Sequence, residues 1–171
     1  MSYKPPKDRE ELRNNADAML ARMALPDHAE LSEIVARVAA LTGKRIDVEP
    51  LGDSDWETIT GLVLQTPESA TVLVRKSDPR WYQFHTVLHE LSHVMFDHPG
   101  CGTLPIHHPG HAHTRAGQTV LARAVASPDF DRELDYTDVP AVMEAEAELL
   151  SQLLSKVVLN PRHHRDEAVF G

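Results

Sequence analysis

The sequence predicts an α+β protein: N-terminal helices, a small three-stranded sheet, and a helix bearing H-E-x-x-H that packs on a C-terminal glutamate-bearing helix. Three observations predict it. Apolar residues recur at helical spacing near both ends of the chain. Three short β-branched runs follow one another between residues 44 and 76. The two most apolar helical stretches carry their histidines and glutamates one turn apart. At 171 residues the chain suits one domain with its own core.

Residues 8 to 24 place Leu12, Ala16, Leu20 and Met23 on one side of a helix. A second helix follows "LPDHAE", with Asp27 as N-cap and Glu30 as its capping partner, and runs to Gly43 as C-cap. The period then shortens. "KRIDVEPL" loosely alternates Ile46, Val48 and Leu51 as a short strand, and "TITGLVLQ" and "ATVLVRK" form a hairpin around "TPES". "SDPRWYQF" opens the next helix, with Ser77 or Asp78 as cap and Pro79 at its first position, and the helix runs to about Asp97. Residues 98 to 117 read as a long histidine-rich loop, and a short helix is expected around Val120 to Ala126. The stretch "SPDFDRELDY" carries no assignment. A strong helix begins near "TDVPAVM" and ends at Asn160-Pro161.

Composition narrows the function. A net charge of −9 and the lack of a basic stripe argue against direct nucleic-acid binding, whose sequence-independent affinity comes from clustered Lys and Arg. No run approaches the roughly 18 apolar residues of a membrane span, and "MSYKPPKDREELRNN" has no signal-peptide core. The single cysteine, Cys101, allows no internal disulfide. The expected setting is the cytoplasm.

The chemistry centres on "HTVLHELSH". A helical residue turns by about 100°, so His89 and His93 lie about 40° apart on one face and can bind one metal ion. Glu90, about 100° from His89, is placed to take a proton from a water on that ion. Eleven histidines make the spacing alone a weak signal, so its surroundings matter. Phe84, Val87, Leu88, Leu91, Val94, Met95 and Phe96 make the helix apolar on most sides, and a buried polar cluster there must be paired or metal-bound. A third ligand is required. Phe96 and Pro99 exclude the HExxHxxGxxH solution, which leaves a glutamate from a later helix. In "MEAEAELL", Glu144 and Glu148 share a face while Glu146 points about 200° away from Glu144. Glu144 is therefore the expected ligand, and Glu148 is expected to hold a ligand histidine from behind.

With these residues in place, the sequence resembles the ImmA/IrrE-type metallopeptidases, whose helices read T-x-A-H-E-L-G-H, with a histidine five residues on, and E-x-x-A-(N/D)-x-F-A-x-x-L-L. "TVLHELSHVMFDH" supplies Thr86, His89, Glu90, Leu91, His93 and His98, and "EAEAELLSQLL" supplies Glu144, Ala147, Leu150 and Leu154. The likeness spans about residues 28 to 158. Ser92 stands in place of glycine, Glu148 in place of Asn or Asp, and Leu150-Ser151 in place of Phe-Ala. The resemblance implies a minimal zincin-like, gluzincin-type domain holding one zinc ion through His89, His93 and Glu144, with Glu90 as general base. It implies an endopeptidase that clips a partner such as a helix-turn-helix transcriptional repressor, with "ATVLVRK" as an edge strand to hold the substrate backbone.

Two other readings compete with the peptidase. One is a non-proteolytic zinc-binding regulatory or sensing module that binds a transcription factor. The other is a structural zinc site closed by His98 or Asp97. His85, one turn before His89, is expected to line the pocket or pack. His107, His108, His111 and His113 read as loop residues over the cleft, and with Tyr136 they are the candidates for oxyanion support. Trp56 and Trp81 are expected in the core or a groove.

Overall fold

The computed structural model describes residues 3–52, 59–99, 119–124 and 134–159. Four helices and four strands follow in the order α1 Arg9–Met23, α2 Leu31–Thr42, β1 Arg45–Leu51, β2 Ile59–Gln65, β3 Ser69–Arg75, α3 Arg80–Phe96, β4 Thr119–Ala124 and α4 Val139–Leu159. The architecture is mixed α+β, as expected.

The helix ends follow local chemistry. The Asp8 carboxylate accepts from Glu11 N at 2.9 Å and caps α1. Helix α2 starts three residues later than the expected Asp27 cap, at Glu30, whose capping box is closed by Glu33. His28 adopts a left-handed conformation (φ 62°), and a helix cannot run through it. Helix α3 is capped by Pro79, not by Ser77 or Asp78: the Pro79 carbonyl accepts from Tyr82 N and Gln83 N, while Asp78 faces Arg75.

The three expected strands are present, and β2 and β3 form the expected antiparallel hairpin. Strand β1 joins β3 in parallel, and β4 joins β2 antiparallel, giving the order β1-β3-β2-β4. Two expectations change here. Thr119–Ala124 is a strand, not the start of a helix around Val120, because pairing with β2 satisfies its backbone and outweighs a weak local preference. "ATVLVRK" is not an edge strand: β3 is flanked by β1 and β2, and neither side is left to receive a peptide.

Helix α3 is the centre of the fold. It packs against β2, β3, α4 and α2, while α1 packs on α4 and α2. That position explains why every residue from Thr86 to Met95 is buried. Met23, Ile34, Val38, Val63, Val72, Leu88, Leu91, Leu150 and Leu154 form the surrounding core, which is aliphatic as the composition suggests. Trp81 is not in it. It is 70% exposed and stands edge-on to Tyr82 at the start of α3. Trp56 lies outside the described residues.

Close approach of α3 to the sheet depends on Gly61. A Cβ at that position would overlap Thr86 Cγ2 and stand 3.0 Å from Glu90 Oε1. The strand also shifts register between Ile59 and Gly61, beside this contact.

Candidate metal centre

Helix α3 presents His89 and His93 to α4, and α4 answers with Glu144. The two histidine Nε2 atoms are 3.0 Å apart. Glu144 Oε2 lies 3.2 Å from His89 Nε2, and Glu144 Oε1 lies 3.5 Å from His93 Nε2. Tetrahedral zinc, with ligand bonds of about 2.0–2.1 Å, sets neighbouring ligand atoms about 3.3–3.4 Å apart. The short contacts use both Glu144 oxygens, and with one atom taken from each residue the three donors lie within 4.8 Å of one another, a group able to hold a metal ion.

Hydrogen bonding behind His89 supports the same conclusion. Its Nδ1 is 3.2 Å from Glu148 Oε2, and a carboxylate only accepts, so Nδ1 carries the proton. In the Nδ1-protonated neutral ring the Nε2 lone pair faces the Glu144 carboxylate at 3.2 Å, and a metal ion between them would satisfy both acceptors, as would a proton on Nε2. Glu148 is itself well held: it reaches His85 Nε2 at 3.5 Å and accepts from Gln152 Nε2 at 3.1 Å. Burial pushes this carboxyl up, but hydrogen bonds from His85 and His89, the charge of His85 and the Gln152 amide together hold it well below the usual carboxylate range.

Glu90 leaves α3 in a different direction. Its side chain is buried and lies against Gly61 of β2, on the sheet side of the helix, while the histidines face α4. The HExxH spacing thus separates two ligands from one carboxylate by the 100° turn between adjacent helical residues. Thr86, one turn before Glu90, buries a hydroxyl that has no hydrogen-bond partner among the described residues. Ser92 is fully buried and returns its hydroxyl to Leu88 O at 2.8 Å.

The remaining site expectations divide. His85 lines the group through Glu148, as one of its two expected roles requires. His98 and Asp97 do not close a fourth position: Asp97 is exposed, and His98 Nδ1 faces His93 Nδ1 at 2.8 Å, behind the ligand. Tyr136 has Asp8 and Arg9, at the start of α1, as its charged neighbours. His107, His108, His111, His113 and Cys101 lie outside the described residues.

Sequence reasoning missed Glu146, read only as pointing away from Glu144. It is buried, and it accepts from Tyr3 Oη at 2.5 Å, Asn15 Nδ2 at 3.0 Å and His98 Nε2 at 3.3 Å. Burial, then the hydrogen bond to Glu146, then its charge push the Tyr3 phenol far up. No protein-family model, curated protein or solved structure matches this chain. Among the described residues no helix is long and apolar enough to cross a membrane.

Proposed function

We propose that this chain is a zinc-dependent endopeptidase of minimal zincin-like build, acting on a specific protein partner. The observation that carries the reading is the grouping of His89, His93 and Glu144, combined with Glu90, next to His89 in the sequence and buried on the sheet side of the same helix. A ligand set alone would serve a sensor or a structural ion. Adding a carboxylate at the second HExxH position serves proton transfer.

Zinc bound by the three residues would polarise a carbonyl and make a water acidic near neutral pH. Glu90 would then be the group to take the proton of the attacking water and deliver it to the departing amine. His89 and His93 would hold the ion through their Nε2 lone pairs. Glu144 balances part of its charge, and Glu148 holds the His89 ring in place. The substrate main chain is expected to add to β4, because β4 borders β2, which carries Gly61 under Glu90. The ImmA/IrrE resemblance suggests a helix-turn-helix transcriptional repressor as the partner.

The test pairs the wild type with Glu90→Gln, measuring both zinc content and cleavage of a helix-turn-helix repressor encoded beside this chain. Both proteins should hold one zinc, and only the wild type should cut. Cleavage that survives Glu90→Gln would refute the mechanism. Zinc without cleavage in the wild type would favour the non-proteolytic regulator.

A further inference from the structure

We propose that His98 and Glu146 are positioning residues that fix the tautomer and orientation of His93, with Tyr3 and Asn15 anchoring the far end of the relay. The inference rests on the metal site proposed above, and it explains an asymmetry in that site. His89 is held directly by the carboxylate of Glu148. The outer nitrogen of His93 faces the ring of His98 instead. Glu146 is the next glutamate on α4, but it leaves the helix about 200° from Glu144 and faces α1. His98 spans the gap.

The chain turns sharply to put it there. Asp97 adopts the left-handed conformation (φ 54°) at the end of α3. Its N–H donates to Val94 O at 3.2 Å, and His98 N donates to His93 O at 3.1 Å. This pair of bonds is the Schellman pattern, which folds the residue after the cap back over the last turn. His98 is thereby carried back onto His93. Phe96 stacks on its ring at 5.3 Å between centroids, and Tyr3 meets it edge-on at 4.7 Å, so the imidazole has little freedom to rotate.

Donor and acceptor counting then gives one consistent assignment of the protons. Glu146 receives Tyr3 Oη–H and Asn15 N–H, both donors, and so acts as a carboxylate acceptor. The bond to His98 therefore places a proton on His98 Nε2. With that proton on Nε2, Nδ1 is the His98 nitrogen able to accept, and at 2.8 Å it takes the bond from His93 Nδ1–H. His93 is left with its Nε2 lone pair directed at His89 and Glu144, the form a metal ligand needs. If His98 carried protons on both nitrogens, the order would reverse. His93 would accept at Nδ1 and carry its proton on Nε2, where it could not bind metal.

Two measurements test this. In the metal-free protein, imidazole nitrogen NMR should show His93 protonated on Nδ1 and His98 on Nε2. The opposite tautomer at His93, or a doubly protonated His98, would overturn the relay, whether or not the protein proves to be a peptidase. The second measurement is zinc affinity by chelator competition. His98→Leu and Glu146→Gln should each bind zinc about 10- to 100-fold more weakly. His98→Asn places a carbonyl oxygen near the position of Nδ1 and should recover affinity to within about threefold of the wild type. A role in packing alone would give the reverse order, since Leu replaces the ring's apolar volume better than Asn. Equal affinity across folded variants, checked by circular dichroism, would overturn the proposal. Should His98→Leu fail to fold, Glu146→Gln and His98→Asn carry the comparison. A wild type that binds no zinc would sink the proposed function, and the tautomer result would still decide the relay.

Discussion

Replacing Gly61 by alanine should damage both the fold and the site, and the structure sets the size of the effect. The new methyl carbon would overlap Thr86 Cγ2 and lie 3.0 Å from Glu90 Oε1. Carbon atoms settle at about 3.5–4.0 Å, so something must yield by about 1 Å. Thr86 is β-branched and buried on a helix, where its rotamers are few. Strand β2 is held on both sides, by β3 and β4. The displacement must therefore fall on α3. Overpacking of this kind costs about 1–3 kcal/mol, and the crowded position of α3 argues for the upper part of that range. A shift of about 1 Å in Glu90 should lower turnover by on the order of 100-fold. Urea unfolding of Gly61→Ala, Thr86→Ser and the double variant tests the cause. Thr86→Ser removes the obstructing methyl and keeps the hydroxyl, so the double variant should recover about 1 kcal/mol or more of the loss. Gly61→Ala as stable as the wild type, or strictly additive effects, would refute the close-approach argument.

Three further outcomes follow from the same geometry. Asp97→Gly suits the left-handed end of α3 and should be neutral or stabilising by up to about 1 kcal/mol, whereas Asp97→Val should cost about 1–2 kcal/mol and weaken zinc binding by releasing His98; thermal unfolding and chelator competition read both. Tyr3 donates to Glu146, so the folded state holds its phenol proton above the ordinary pKa of about 10. Its contribution is complete below pH 10 and is lost as pH rises above that value, because the unfolded chain ionises first. Tyr3→Phe should flatten that alkaline loss in urea titrations, and an unchanged slope would contradict the assignment. Glu90→Gln should keep its zinc and lose hydrolysis, read by metal analysis and peptide assay.

Legibility in the sequence depended on how local the signal was. His89, Glu90, His93, Glu144 and Glu148 follow from helical periodicity within two short segments, and the two segments point to each other by chemistry. Each strand of the sheet was visible in its β-branched residues, but their order was not. Nothing in "ATVLVRK" says that β1 will join its outer side in parallel and leave it central. Likewise "TVLARA" was read as a helix because its pairing partner lies more than fifty residues earlier, at β2. The relay behind His93 was hidden for the same reason. Tyr3, Asn15, His98 and Glu146 are brought together from four places along the chain, and no period connects them. Gly61 did leave a trace, since a lone glycine inside a strand often marks a close backbone approach.

The central claim is an open metal site made by His89, His93 and Glu144. Zinc-edge X-ray absorption of the zinc-loaded wild type tests it most directly. The account predicts two imidazole ligands, the remaining ligands oxygen at about 2.0–2.2 Å, and no sulfur. A third imidazole, as His98 would supply in a closed structural site, or a sulfur shell at about 2.3 Å would contradict it.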